Sequence, residues 1–398
     1  MRKALLCLFL LLGSGAYAQV GQVPAAVQPG SSYLGYGDAV STGATLAGWY
    51  SCSQAYTAAQ AAATAAACTL RRAQDNTTQV IDFQTNGLIN STAALSFGGQ
   101  DATGCPVTLS GTTLTITGAC STNAHSIAAW STFTASGIVG PAYVVSLGTC
   151  TATVTSTPCT ININTLASGS SFTGGTIAIN DPLFVVTAND LTGLSFAATE
   201  ATAVNQPPWI ANCGGASNAY ACIVSIGTSS GQQQLIGTTN ITPATGTASL
   251  VSVVQKVTGA NTSYWASETT QQGISGTGSA NQWRLNGTSG SVTVTANDAV
   301  WHVGTGVIDT TVSSGSFLTV DGAAVTTGTI TGGTTAQKTN ILASTVVTAR
   351  TMLLFEFGFF DNVLLTQTGS GGTATGTVPT GCRNIQTRYG ASTFGATC

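Results

Sequence analysis

Thirteen acidic side chains, only three of them glutamates, serve the whole of this 398-residue chain, so any acid–base chemistry must draw on a short set. Glu268 stands in Ser263-Tyr-Trp-Ala-Ser-Glu268, beside Tyr264 and Trp265. Aromatic faces stack on the C–H surface of a pyranose while a carboxylate accepts hydroxyl hydrogen bonds, so this trio has the composition of a sugar platform. The competing reading is a strand end with core aromatics, and we favour it because aromatic rings are usually buried. Glu356 lies between Phe355 and Phe357. On a strand it points opposite to those neighbours, so with the phenylalanines in the core it faces the concave sheet surface or solvent. Asp361 follows five residues on and is placed to approach it, although an alternating strand with a polar outer face predicts the same residues without chemistry. A two-carboxylate hydrolase requires two of Glu268, Glu356, Asp361 and Asp298 to converge in a cleft. Scattering over both faces excludes it.

The other chemically capable residues have structural readings. His302 follows Trp301 on a strand with no Ser/His/Asp or Cys/His partner in reach of the pattern, which makes it a packed histidine. Asp321, before Gly322, is a hairpin turn residue, with Ca²⁺ binding as the alternative use of a loop carboxylate. Arg71, Arg72 and Asp75 form an Arg–Asp set at the end of an expected helix, more often an ion pair than a site. The two histidines, His125 and His302, lie far apart and no CxxC occurs, so a zinc site is not indicated. Glycines are scattered through Thr/Ser tracts instead of sitting between a strand and a helix, so no phosphate loop or dinucleotide fingerprint is present. No cofactor is expected, and metal is limited to the Asp321 alternative.

The elements that must position these residues are short strands. Alternating runs at 112–117, 142–147, 160–164, 176–180, 183–187, 250–257, 291–295, 316–320 and 352–357 are separated by Gly, Asn, Asp and Ser, the pattern of a sandwich or barrel. Asn286-Gly287 and Asp321-Gly322 supply hairpin turn chemistry. The alanine-rich stretch Ser51 to Thr69 is the one expected helix. Residues 19–47 read as a linker or an irregular first strand.

Composition sets the class and the compartment. Charged residues are only 6% of the chain and hydrophobic ones 43%, with 48 glycines. That balance excludes a disordered charged tail, a basic nucleic-acid-binding surface and a helical bundle. The start has Arg2 and Lys3, an apolar run over 4–12, and Ala16-Tyr17-Ala18 before Gln19, the layout of a secretory signal cleaved after Ala18. The apolar run is about half the roughly 20 residues that span a bilayer, and no later segment supplies a transmembrane helix. The expected location is secreted, periplasmic or cell-surface. Apart from Cys7 there are ten cysteines, an even count that points to disulfides in an exported chain. Closing the shortest loops pairs Cys52 with Cys68, Cys105 with Cys120, Cys150 with Cys159, Cys213 with Cys222 and Cys382 with Cys398. Spacing alone leaves other connectivities open.

Two stretches carry a family resemblance. Cys68-Thr-Leu-Arg-Arg-Ala-Gln-Asp75, running on to Asp82, with Asn86-Gly-Leu-Ile-Asn-Ser-Thr-Ala-Ala-Leu95-Ser-Phe97, resembles the opening of the arabinofuranosidase B-like module of glycoside hydrolase family 54. Ala201-Thr-Ala-Val-Asn-Gln206-Pro-Pro-Trp209-Ile-Ala-Asn212-Cys213 is similar to the strand-entry segment of those modules. Trp301-His302 with Leu318-Thr-Val-Asp321-Gly322 resembles the laminin G-like signature of concanavalin A-like jelly rolls, and Asn384-Ile-Gln-Thr-Arg-Tyr389 their terminal stretch. The resemblance implies an all-β, concanavalin A-like jelly-roll sandwich over 48–97 and 193–398. Residues 98–192 have no counterpart and read as an inserted small β subdomain beside the expected sugar-facing side, where it would act as a cover or an added binding surface.

The same resemblance implies where a hydrolase would keep its acids. The stretch 341–349, corresponding to the family's acid/base turn, contains no carboxylate. The family's nucleophile segment is also unmatched, Glu268 being the nearest acid. The expectation is therefore an exported carbohydrate-binding or surface-structural protein whose partner is a glycan or polysaccharide, with no nucleic acid. The enzymatic alternative is an α-L-arabinofuranosidase-like hydrolase, and a third reading is a phage-tail or envelope component. No oligomeric state is read from the sequence.

Overall fold

A computed structural model describes residues 47–52, 66–73, 76, 78–82, 100–123, 127–134, 142–154, 157–164, 172–191, 197–214, 220–225, 227–228, 231–241, 246–256, 262–263, 265–267, 273–276, 279–287, 289–323, 325–331, 337–341, 352–361, 365 and 377–398. The signal-like start and most of the alanine run lie outside them. The protein is an all-β sandwich, as the short alternating runs require.

Its largest sheet is centred on the strand Met352–Asp361. Thr247–Lys256 runs antiparallel along one edge of that strand, while Ala47–Ser51 and Tyr220–Ser225 share the other. Trp301–Asp309 then continues the sheet to Ser316–Val320. Both Thr247–Lys256 and Trp301–Asp309 are buried along their whole length, because a strand covered on both faces has no solvent side to make polar. A four-stranded sheet, Thr262–Ser263, Gly273–Gly276, Gln282–Asn286 and Ser291–Thr295, supplies Ile274, Trp283, Leu285 and Val292 to the same core. Close approach of the layers explains Gly306: a Cβ there would lie 2.8 Å from Leu285 and 3.2 Å from Ile274.

The chain leaves this sheet after Thr78–Asp82 and rejoins it at Leu183–Ala188, which pairs with Ala66–Arg72. Between them the order Thr132–Thr134, Phe172–Asn180, Gln100–Ser110, Thr113–Ile116, Cys159–Ile163, Val144–Ser146 forms a separate sheet. Its two ends are joined by Phe133 N–H to the Ala142 carbonyl at 3.2 Å and Val144 N–H to the Ser131 carbonyl at 2.9 Å, closing it into a small barrel. Closure leaves no edge to pair with another chain. Val107, Leu109, Leu114, Ile116, Ile161 and Ile177 fill an apolar cluster of its own.

Five disulfides join Cys52 to Cys68, Cys105 to Cys120, Cys150 to Cys159, Cys213 to Cys222 and Cys382 to Cys398. Both hairpin signals are used. Gln282–Asn286 pairs with Ser291–Thr295, and Asp321 and Gly322 have φ of 51° and 62° in the turn closed by Ala323 N–H to the Val320 carbonyl.

The helix is a correction. Ala47–Ser51 and Ala66–Arg72 are strands, so the expected helix over 51–69 is absent at both described ends. Pairing of Ala66–Arg72 on both of its edges outweighs the alanine preference for helix, which is a weak prior against tertiary context. The α-helix among the described residues is Thr377–Tyr389. It tolerates Pro379 because the first turn needs no N–H from that residue. Its buried side, Val378, Cys382, Ile385, Gln386 and Tyr389, follows helical spacing.

Candidate functional site

The C-terminal helix and the central strand meet around Glu356. The pairing of Thr247–Lys256 with Met352–Asp361 slips at this point: Val254 faces Leu354 and Val253 faces Glu356, leaving Phe355 as the extra residue of a bulge. The Phe355 ring is stacked between Trp301, at 3.5 Å between centroids, and Tyr389 of the helix, at 4.6 Å. Glu356 is fully buried. Trp49 Nε1 donates to its Oε2 at 3.1 Å, and Arg388 Nη1 donates to Oε2 at 3.0 Å and to Oε1 at 3.2 Å. The expectation of an outward Glu356 is thus corrected, because the helix covers this stretch of the sheet and brings a guanidinium to the carboxylate. Tyr220 fixes the helix end by donating from its hydroxyl to the Arg388 carbonyl at 2.8 Å. Burial raises the Tyr220 pKa and the nearby Arg388 charge lowers it, the burial effect being larger.

Asp361 does not join Glu356. The two face Ala248 and Val253 of the same neighbouring strand, and five residues of extended chain separate them by about 17 Å. Asp298 is elsewhere again. Its Oδ1 lies 3.0 Å from Lys256 Nζ, which also donates to the carbonyls of Ser279 and Gln282, each at 3.0 Å. Two carbonyls accept from the buried ammonium and the Asp298 carboxylate balances its charge, which makes a structural anchor for the loop before Trp301.

His302 has a partner that the sequence pattern did not reveal. Its Nδ1 lies 2.5 Å from Asp321 Oδ2 and its Nε2 lies 2.6 Å from the Asn297 carbonyl. Asp321 Oδ1 accepts from Val303 N–H at 2.8 Å. The signal was available in the hairpin register: Gly304 faces Val320, so the next residue along, Asp321, falls beside Val303. With one nitrogen on a carboxylate and the other on a carbonyl, the imidazole has no open nitrogen for a substrate. Asp321, its oxygens facing N–H groups, offers a Ca²⁺ ion a poor ligand set. Among the described residues, no group of three or more His, Cys, Asp or Glu side chains is arranged to hold a metal ion.

The remaining acids with described side chains are also engaged. Asp190 accepts from Trp49 N–H, Glu200 from Thr202 N–H, and Asp309 from the N–H and hydroxyl of Thr311. Arg72 Nε lies 3.6 Å from Asp181, an ion pair that leaves both buried Asp181 oxygens without a hydrogen bond. Arg71 donates from Nε to Gln206 Oε1 at 2.7 Å and lies over the Phe184 ring, and burial lowers its pKa. Both arginines sit on a strand, not a helix end, and Asp75 is outside the described residues.

The proposed sugar platform is seen only in part. Tyr264 and Glu268 lie outside the described residues. Among the described residues, the strand Trp265–Ser267 stands at one end of the large sheet and pairs with Gln337–Ile341, Trp265 facing Ile341. Thr262–Ser263, two residues earlier, belongs to the four-stranded sheet.

No known protein family and no curated protein matches this sequence. Among solved structures, an arabinofuranosidase complexed with arabinofuranosyl-α-1,2-xylobiose is 10% identical, with a TM-score of 0.46 over 86% of this chain and 62% of that chain. A glycoside hydrolase family 54 α-L-arabinofuranosidase soaked with a cyclic sulfate inhibitor is 8% identical, with a TM-score of 0.46 over 87% and 63%. The receptor-binding domain of botulinum neurotoxin type G is 13% identical, with a TM-score of 0.32 over 44% and 45%. The chain spans less than two-thirds of the arabinofuranosidase chains it matches, and the resemblance is a distant one of fold.

Proposed function

We propose that this protein is an exported, disulfide-stapled surface module that binds glycan without hydrolysing it. The observation that carries the reading is the state of its carboxylates: those with described side chains are buried and tied to structural partners, Glu356 hydrogen-bonded under Arg388, and Asp181 and Asp298 held by charge beside Arg72 and Lys256, and no two of them are paired facing substrate. A retaining hydrolase instead needs two carboxylates about 5–5.5 Å apart and facing substrate. The five disulfides support an oxidising compartment, in keeping with a signal cleaved after Ala18. Tyr264, Trp265 and Glu268 are the proposed sugar contacts, on the composition of that stretch.

The test is hydrolysis of an aryl α-L-arabinofuranoside by the oxidised, signal-free protein, beside Glu268→Gln and Glu356→Gln variants, with glycan-array binding on the same preparation. The expected result is array binding without turnover. Turnover by the unaltered protein would overturn the proposal, and its loss in Glu268→Gln would place the enzyme site at that residue.

A further inference from the structure

Residues 102–180, which include the whole barrel except the first two residues of its longest strand, contain no Asp, Glu, Lys or Arg. A soluble domain ordinarily has about 25–35% charged residues on its surface. Val145 is exposed on the strand Val144–Ser146, but on the three neighbouring strands Gln100–Ser110, Thr113–Ile116 and Cys159–Ile163 strand pairing places outward hydroxyls and an amide in two rows. In the first, Thr108 faces Thr115 and Thr115 faces Thr160. In the second, Ser110 faces Thr113 and Thr113 faces Asn162. Neighbouring members of a row are about 4.8 Å apart and the rows about 6.7 Å apart, from the geometry of any pleated sheet.

The face is held still from within and from its sides. Leu109, Leu114, Ile116 and Ile161 alternate with the row residues and are buried in the barrel. Disulfides Cys105–Cys120 and Cys150–Cys159 tie down two of its strands. Asn162 Nδ2 donates to Ser146 Oγ at 2.8 Å, and the hydroxyls of Thr149 and Thr160 lie 3.0 Å apart. Each hydroxyl in such a pair still has hydrogen-bonding capacity for a ligand. Ser110 and Asn162 are exposed, and Thr108, Thr113, Thr115 and Thr160 are half-buried beside them.

We propose that these two rows form a second glycan contact surface, one that takes a neutral polysaccharide chain lying across the strands. This rests on the glycan-binding reading above and adds a site and a ligand class to it. The occupant follows from charge and from hydrogen bonding. An anionic polymer would lose solvation on this face with no cation to replace it, whereas a neutral one would not. An apolar protein surface would leave the hydroxyls unsatisfied at a cost. A sugar chain presents the same mixture of C–H and O–H that threonine does, and a face already rigid loses little entropy on binding.

The experiment is retention of the oxidised protein on insoluble arabinan, xylan and cellulose, with polygalacturonate as the charged control, at low and high salt. Thr115→Arg and Asn162→Asp place a charge on the rows, and Trp265→Ala alters the other proposed contact. Thermal unfolding checks each variant's fold, and Thr115→Val serves as a shape-preserving replacement if Thr115→Arg fails to fold. The expected result is salt-independent retention on at least one neutral polymer, reduced about tenfold or more by Thr115→Arg and by Asn162→Asp. Retention unchanged in both and lost only in Trp265→Ala would overturn the barrel site while leaving glycan binding intact. Preferential retention on polygalacturonate would overturn the ligand class. No retention of the unaltered protein on any polymer, with no array binding, would remove both proposals.

Discussion

Glu356 shows how a residue suited to acid catalysis can be committed to packing. A buried carboxylate needs a partner, and two arrive from far along the chain: Arg388, 32 residues on, and Trp49, 307 residues back. Neither is visible from the Phe-Glu-Phe triplet, whose alternation correctly predicts a strand but says nothing of what covers it. The proximity of His302 and Asp321 was closer to legible, since one hairpin brings them together. We predict that Glu356→Gln lowers stability by about 3 kcal/mol in chemical denaturation, because it leaves the Arg388 charge unpaired in a mostly buried site. A loss below measurement would contradict the ion pair as a structural anchor. A second prediction concerns alkali. Burial, reinforced by the Asp190 charge, raises the Tyr50 pKa above its ordinary 10.0, and burial raises that of Tyr143. The unfolded chain then loses these protons first. Their contribution is whole below about pH 10 and is lost as pH rises from there towards the folded-state values. Tyr50→Phe and Tyr143→Phe should each lessen the fall in unfolding temperature above pH 10, and an unchanged alkaline profile would count against that burial.

At the scale of elements, strands with strict alternation or defined turns were readable and the helix was not. The runs at 291–295 and 316–320 are strands with those limits, each beside its Asn-Gly or Asp-Gly turn. The fully buried Trp301–Asp309 lacks alternation, so periodicity could not mark it. Helix propensity pointed to alanines that pair as a strand, while Thr377–Tyr389, with Pro379 and Gly381, is a helix because its apolar side has a sheet to rest on. Cys382–Cys398 holds the chain end over that helix, where Cys398 N–H donates to Gln386 Oε1 at 2.9 Å. Replacing both cysteines by alanine should cost about 3 kcal/mol, the value expected for a loop of this length. Amide exchange should quicken first over 391–398, and uniform exchange across the sheet would argue against a local clamp. We propose that residues 98–182 fold by themselves, as their separate apolar cluster and two disulfides suggest. A cooperative thermal transition of the excised, oxidised fragment is the expected outcome. A fragment without one would show that the barrel needs the sandwich.

The whole molecule joins a large sheet, a smaller facing sheet and a closed barrel, and among the described residues the ion pairs lie inside. Its fold class and cysteine pairing were accessible from composition, turn residues and count. Its candidate site was less so, because the partners of Glu356 arrive from Trp49 and from the C-terminal helix, far along the chain. The central claim is glycan binding without hydrolysis, and one vessel tests it most directly: the oxidised, signal-free protein incubated with insoluble arabinan, with protein depletion and released arabinose followed together. Depletion without sugar release is the predicted result. Arabinose released by the unaltered protein and not by Glu268→Gln would contradict it.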